Sequence, residues 1–162
     1  MRYRGPLYRA LNPVYARQPL SGAGAARHGG RFNPRGVPAL YTALEVIGAL
    51  REANQAGSLQ PTTLVSYEAD LSPVFDSRDA DALAAYDMDA QALADPGWRD
   101  AMRDNGEAPT QTLARRLIAD GHAGLLVHSF AKGAGAVDLN LVLWHWDTGL
   151  VLVDDENRLG RL

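Results

Sequence analysis

"GAGAARHGGRFNPRGVPALYTALEVIGALREANQ", Gly22 to Gln55, passes from a glycine-rich, basic half into a short apolar segment and then an amphipathic one. The first half holds no apolar run, so it reads as loop to about Gly30. "PALYT" (38–42) has the make-up of an apolar strand. Thr42 followed by Glu45 is the capping-box spacing that opens a helix. The pattern carries that helix to about Ala56 and stops it at Gly57, with Val46, Ile47, Leu50 and Ala53 as its buried stripe. A loop, a strand and a helix in this order fix one corner of the fold.

Outward from that corner, residues 3–11 alternate as a short strand before Asn12-Pro13. "TTLVSYEADL" (62–71) alternates like a half-buried strand, and Pro73-Val74-Phe75 extends the sheet. Residues 78–105 are rich in Ala and Asp, with capping signals at Asp89 and Asp95-Pro96 that predict short helices. "TQTLARRLIAD" (110–120) predicts a helix ending at Gly121. Three strands close the chain: "GLLVHSF", "LNLVLWHW" and "LVLVDD". This order predicts an α+β fold with a mixed, mainly antiparallel sheet and flanking helices, without the regular alternation of a doubly wound sheet. No repeat or low-complexity linker divides the chain, so residues 1–162 read as a single domain.

With 46% hydrophobic and 22% charged residues among 162, the composition is that of a soluble globular protein. A net charge of −3 excludes a global basic field for nucleic acid. Arginines nevertheless crowd the first third, at positions 2, 4, 9, 17, 27, 31, 35 and 51, whereas many acids fall between Asp70 and Asp104. That asymmetry suits a small anion. There is no cysteine, so disulfide and thiol chemistry are excluded. The opening "MRYRGPLYRALNP" lacks the apolar core of a signal peptide and no apolar run reaches membrane-spanning length. The expected location is the cytoplasm.

Common enzyme signatures are missing. Gly22-Ala-Gly24 begins like a dinucleotide fingerprint but meets Arg27 where the third glycine belongs, and Gly133-Ala-Gly135 fails at Asp138. His28, His122, His128 and His145 show no paired ligand spacing, so no metal is expected. Ser129 in "VHSFA" lacks the glycines of a nucleophile elbow. Four polar positions survive: Arg31 after Gly29-Gly30, Tyr41 ending a strand, Glu52 on a helix and Ser129 ending a strand. Each also has an ordinary reading: surface arginine, core tyrosine, solvent-face glutamate, strand-end cap.

Their order, with "YRALNP…GGRFNPRGVPALYTA…REA…GLLVHSF…NLVL", resembles the RES-domain family, toxins of bacterial RES–Xre toxin–antitoxin pairs. The likeness runs over nearly the whole chain and is weakest across residues 70–110. It implies an enzyme that consumes NAD, with a core like that of diphtheria-type ADP-ribosyltransferases. Such an enzyme breaks NAD down with water or phosphate, or passes its ADP-ribose to a protein. Carried over by position, it implies catalytic roles for Glu52, Arg31 and Tyr41 and NAD-binding roles for Arg31, Tyr41, Ser129, Arg9 and Asn140. It also implies an Xre-type antitoxin as partner, blocking the site through an entrance formed by Arg27, Arg31, Arg35 and Arg9. Phe130-Ala131-Lys132 departs from the small-then-arginine continuation associated with the family.

The chemistry agrees. Nicotinamide–ribose cleavage passes through an oxocarbenium-like state that a carboxylate such as Glu52 favours. Arginine's planar fork matches phosphate oxygens. Tyr41 offers a ring to stack on nicotinamide, Ser129 a hydroxyl for ribose or carboxamide, and Gly29-Gly30 a backbone that a ligand can approach closely. The competing expectation is a non-catalytic module whose arginine-rich loop docks an acidic partner.

Overall fold

The computed structural model describes residues 1–54 and 58–160. One seven-stranded sheet organises them. Its strands are β1 (Tyr3–Leu11), β2 (Leu40–Ala43), β3 (Thr63–Leu71), β4 (Val74–Asp76), β5 (Gly124–His128), β6 (Leu139–Leu143) and β7 (Leu150–Leu152), in the order β4-β5-β6-β2-β1-β3-β7. Only β4 and β5 run parallel; every other pair is antiparallel. The mixed, mainly antiparallel α+β sheet predicted from sequence is therefore present.

Alternation along the strands builds a core on each face. Leu126, Leu141 and Leu143 join Leu7, Leu40, Tyr67 and Leu71 on one side. Leu125, Val127 and Val142 join Phe32, Phe75 and Trp144 on the other. The second face is covered by α3 (Ala80–Ala84), α4 (Ala90–Ala94) and α6 (Pro109–Ala119) through Leu83, Leu93, Leu113 and Leu117. α5 (Trp98–Asn105) precedes α6.

Two seams differ sharply. β1 pairs with β3 along its whole length, from Tyr3↔Leu71 to Leu11↔Thr63. β1 and β2 share a single registered pair, Tyr8↔Ala43, so the sheet parts there. α2 (Val46–Ala53) packs against β1, β2 and β3 beside this opening.

Several local expectations need correction. The stretch before Gly30 contains a helix, α1 (Ala23–His28), following a 3-10 turn at Pro13–Tyr15, because its alanines favour helix over loop. The Thr42–Glu45 capping box does not form. Thr42 lies within β2 and its hydroxyl donates to the Leu141 carbonyl at 2.6 Å, while Glu45 is itself the N-cap. The inward face of α2 is Gly48 and Ala49; Ile47 is 57% exposed and Ala53 is exposed. The helix lies so close to β2 that a Cβ on Gly48 would stand 3.3 Å from that of Ala43. Close approach selected small residues here, against the apolar stripe. The predicted end of this helix at Ala56-Gly57 lies outside the described residues. Residues 73–75 do extend the sheet, but at its far edge, as β4 beside β5. Asp89 caps α4 as predicted, whereas Gly97 caps α5 and Asp95 accepts from the Gly97 amide instead.

We predict that Gly48→Leu destabilises the protein by about 1–3 kcal/mol through overpacking. Ile47→Ala should stay within about 0.5 kcal/mol of the parent. Urea unfolding of the two variants checks the order, and the reverse order would restore the apolar stripe as the buried face.

Candidate active site

The turn from Gly29 to Asn33 has no strand partner beyond the isolated bridge Gly30↔Asn33, so side chains must satisfy its backbone. Tyr41 Oη accepts from the Phe32 amide at 3.0 Å and donates to Asn33 Oδ1 at 2.7 Å. Trp144 Nε1 donates to the Phe32 carbonyl at 2.9 Å. Gln111 Nε2, from α6, donates to the carbonyls of Gly30 and Asn33 at 2.9 and 3.2 Å. Asn33 and Gln111 are both 0% exposed, and Asn33 Nδ2 donates onward to Ala25 and Val37. A Cβ on Gly30 would collide with the Tyr41 hydroxyl and Asn33 Oδ1. Gly30 is therefore required by internal packing, a different reason from the ligand approach expected of it.

This turn delivers Arg31 to a cleft of about 270 Å³, lined also by Tyr41, Glu52, Trp98, Arg99, Phe130 and Asn140. Arg31 Nη1 donates to the carbonyls of Leu93 and Asp95 at 2.9 and 3.0 Å, and its guanidinium lies 4.5 Å from the centroid of the Phe130 ring. No carboxylate forms an ion pair with it among the described residues. Burial, and next the charge of Arg99, pull Arg31 below the ordinary arginine pKa, with Glu52 and Asp95 opposing. Burial pushes the Tyr41 hydroxyl well above the ordinary tyrosine value, so it stays a neutral donor.

Glu52 is fixed by residues remote in sequence. Its Oε1 accepts from Ser129 Oγ and from Asn140 Nδ2, each at 2.6 Å. The preceding residue, Arg51, pairs with Asp138 at 2.8 Å, tying α2 to the β5–β6 connection a second time. Asn140 Oδ1 is buried without a partner among the described residues. A second cleft, of about 310 Å³, opens where β1 leaves β2. It shares Tyr41, Glu52 and Asn140 with the first and adds Tyr8, Arg9 and Asn12. Glu52 thus stands where the two clefts meet.

Every predicted site residue belongs to this region, with distinct tasks. Arg31, Tyr41, Glu52 and Asn140 line clefts; Arg9 lines only the second and donates to the Pro19 carbonyl at 3.3 Å. The Ser129 hydroxyl is engaged in holding Glu52. Tyr41 uses its hydroxyl on the Gly29–Asn33 turn, leaving its ring as the cleft wall. Arg27 and Arg35 line neither cleft; Arg35 Nε donates to the His28 carbonyl at 3.4 Å. Sequence reasoning missed Trp98, Arg99 and Phe130. The Phe130 ring carries Arg31. Among the described residues no group of three or more His, Asp or Glu side chains is placed to hold a metal, and no helix is long and apolar enough to cross a membrane.

A family model described as the RES domain matches residues 6–160. One chain of the crystal structure of the M. tuberculosis MbcT–MbcA toxin–antitoxin complex matches this fold with a TM-score of 0.64 and 22% identity, covering 95% of this chain and 84% of that one. No curated protein matches the sequence.

We predict that Tyr41→Phe keeps the ring of the cleft wall but lowers stability by about 1–3 kcal/mol, because the Phe32 amide and Asn33 Oδ1 lose their buried partner. A variant as stable as the parent in thermal unfolding would remove the tyrosine from the support of the turn.

Proposed function

The chain belongs to the RES domain family, and from that premise we propose that it is the toxin of a toxin–antitoxin pair and consumes NAD. The reaction splits nicotinamide from ribose and passes ADP-ribose to a protein, to water or to phosphate. The observation that carries this reading is the fixed Glu52 carboxylate, held at 2.6 Å by both Ser129 and Asn140 in a cleft that also contains Arg31.

Leaving nicotinamide generates an oxocarbenium-like ribose, and a carboxylate already oriented toward it stabilises that charge without reorganising. Ser129 and Asn140 supply the orientation. The unpartnered Asn140 Oδ1 suits a donor on the substrate, such as a ribose hydroxyl or the carboxamide NH₂. Arg31 keeps Nε and Nη2 for a phosphate, since only Nη1 is engaged among the described residues. The Tyr41 ring borders both clefts, where a flat heterocycle can rest. The two clefts together suit an extended dinucleotide better than either alone.

A cell that makes such an enzyme needs an inhibitor. A solved structure with this fold is a toxin–antitoxin complex, which supports an antitoxin partner here; an Xre-type, DNA-binding protein is our reading of it. An antitoxin segment bearing carboxylates fits the cation-bearing cleft. At net −3 the toxin itself contributes little to DNA binding.

We predict that Glu52→Gln lowers nicotinamide release by roughly 10²–10³. The amide keeps an oxygen for Ser129 and Asn140, so the fold should survive. Near-parental turnover in the folded variant would defeat the assignment, and absence of any release from the parent protein would favour a binding module. Labelled NAD incubated with cell lysate then reports whether ADP-ribose ends on protein or free. The toxin–antitoxin complex should neither bind nor cleave NAD; turnover equal to that of the free chain would refute occlusion.

A further inference from the structure

We propose that Arg99, from α5, is the second half of a diphosphate clamp whose first half is Arg31. This assignment rests on the NAD reading of the same cleft and adds to it a residue from the segment least like the family.

The two arginines are mounted alike. The Arg31 guanidinium lies 4.5 Å from the Phe130 ring centroid, and that of Arg99 lies 4.4 Å from the Trp98 ring centroid. Trp98 is itself buried, so its ring is a fixed platform. A guanidinium laid on an aromatic face is oriented by the ring and keeps its N–H edge for an outside acceptor. Both arginines line the first cleft, and neither lines the second.

They are also left without anionic partners. Among the described residues Arg99 forms no ion pair or hydrogen bond, although its helix neighbour Arg103 pairs with Asp100 and Asp104. Arg31 takes only carbonyls. Two like charges close enough to repel are therefore held facing one cavity, and the Arg99 charge works against that of Arg31. An anion between them relieves the repulsion. One bearing two linked phosphoryl groups can offer an oxygen pair to each fork at once, which a single phosphate cannot do as well. The arrangement also gives the cleft a direction: cations on the α5 side, and the Glu52 carboxylate where it joins the second cleft. The dinucleotide has the same asymmetry, with an anionic diphosphate and a cationic nicotinamide ring.

Calorimetric titration of the intact protein with inorganic pyrophosphate, ADP-ribose and adenosine tests the clamp without requiring turnover. Arg99→Ala should raise Kd for ADP-ribose and pyrophosphate about tenfold, the scale of a lost charge-assisted hydrogen bond. Arg99→Lys should recover part of that loss, adenosine should bind the parent and the variant alike, and Arg103→Ala, an equal charge change on the same helix, should leave all three ligands unaffected. With NAD as substrate, Arg99→Ala should raise KM by a similar factor and leave kcat within about twofold. An unchanged Kd for ADP-ribose and pyrophosphate overturns the clamp, and so does an equal loss for adenosine. Pyrophosphate and ADP-ribose binding that depends on Arg99 in a protein that never releases nicotinamide upholds the clamp and sinks the NAD-consuming reading. NAD cleavage with a KM indifferent to Arg99 does the reverse.

Discussion

A short turn held only by buried side chains is the constraint on which the rest of the site depends. Between Gly29 and Asn33 the backbone makes almost no ladder bonds, yet Phe32 is buried, so its amide and carbonyl must find partners inside the protein. They come from three directions: Tyr41 on β2, Trp144 just past β6, and Gln111 on α6, which holds the flanking carbonyls. Buried donors left unmatched are costly, so the turn has one arrangement in which all are satisfied. Arg31 sits in the middle of that arrangement, with its backbone placed by its neighbours and part of its side chain still available.

The second constraint is the parting of β1 from β2. An uninterrupted ladder there would have closed the second cleft, whereas a single pair at Tyr8↔Ala43 leaves it open beneath α2. α2 therefore needs anchors other than the sheet. Arg51 reaches Asp138 and Glu52 reaches Ser129 and Asn140, so adjacent residues bind the helix to the same connection. The carboxylate that lines both clefts also helps fasten the element that carries it. This dual use explains why the site acid, the strand-end serine and an asparagine nearly ninety residues from the acid belong together.

Much of this was legible in sequence, and the failures share a cause. β1, β3 and α6 emerged from periodicity because one of their faces is buried against a large partner, and β5 from an apolar run because both of its faces are buried. The order Arg31, Glu52, Ser129 pointed to the region that contains all three. What failed depended on distances between segments. Thr42 looked like a cap because nothing local shows that Leu141 lies across the sheet from it. Gly48 and Ala49 looked neutral because only the packed structure shows how near α2 comes to β2. That Gly30 is also required by packing was hidden because the Tyr41 side chain that crowds it is eleven positions away. Arg99 was singled out by no motif, because only the folded chain brings α5 to the cleft.

That last case shows how a cleft can be built from parts held in different ways. The turn is locked to Tyr41, Trp144 and Gln111, and Glu52 to Ser129 and Asn140, so changing a member of either set leaves a polar group without a partner. Trp98 and Arg99 enter from α5, which also meets the turn through Met102, whose sulfur accepts from Gln111 Nε2 at 3.1 Å. Exchanging them would alter the charge facing a ligand without unseating the turn. The mutual repulsion of Arg31 and Arg99 works against the ligand-free state and is relieved by an anion, so the same pair couples occupancy to stability. On the proposed reading, a change at Arg99 alters the charge of the cleft while the hydrogen bonds around Glu52 stay in place.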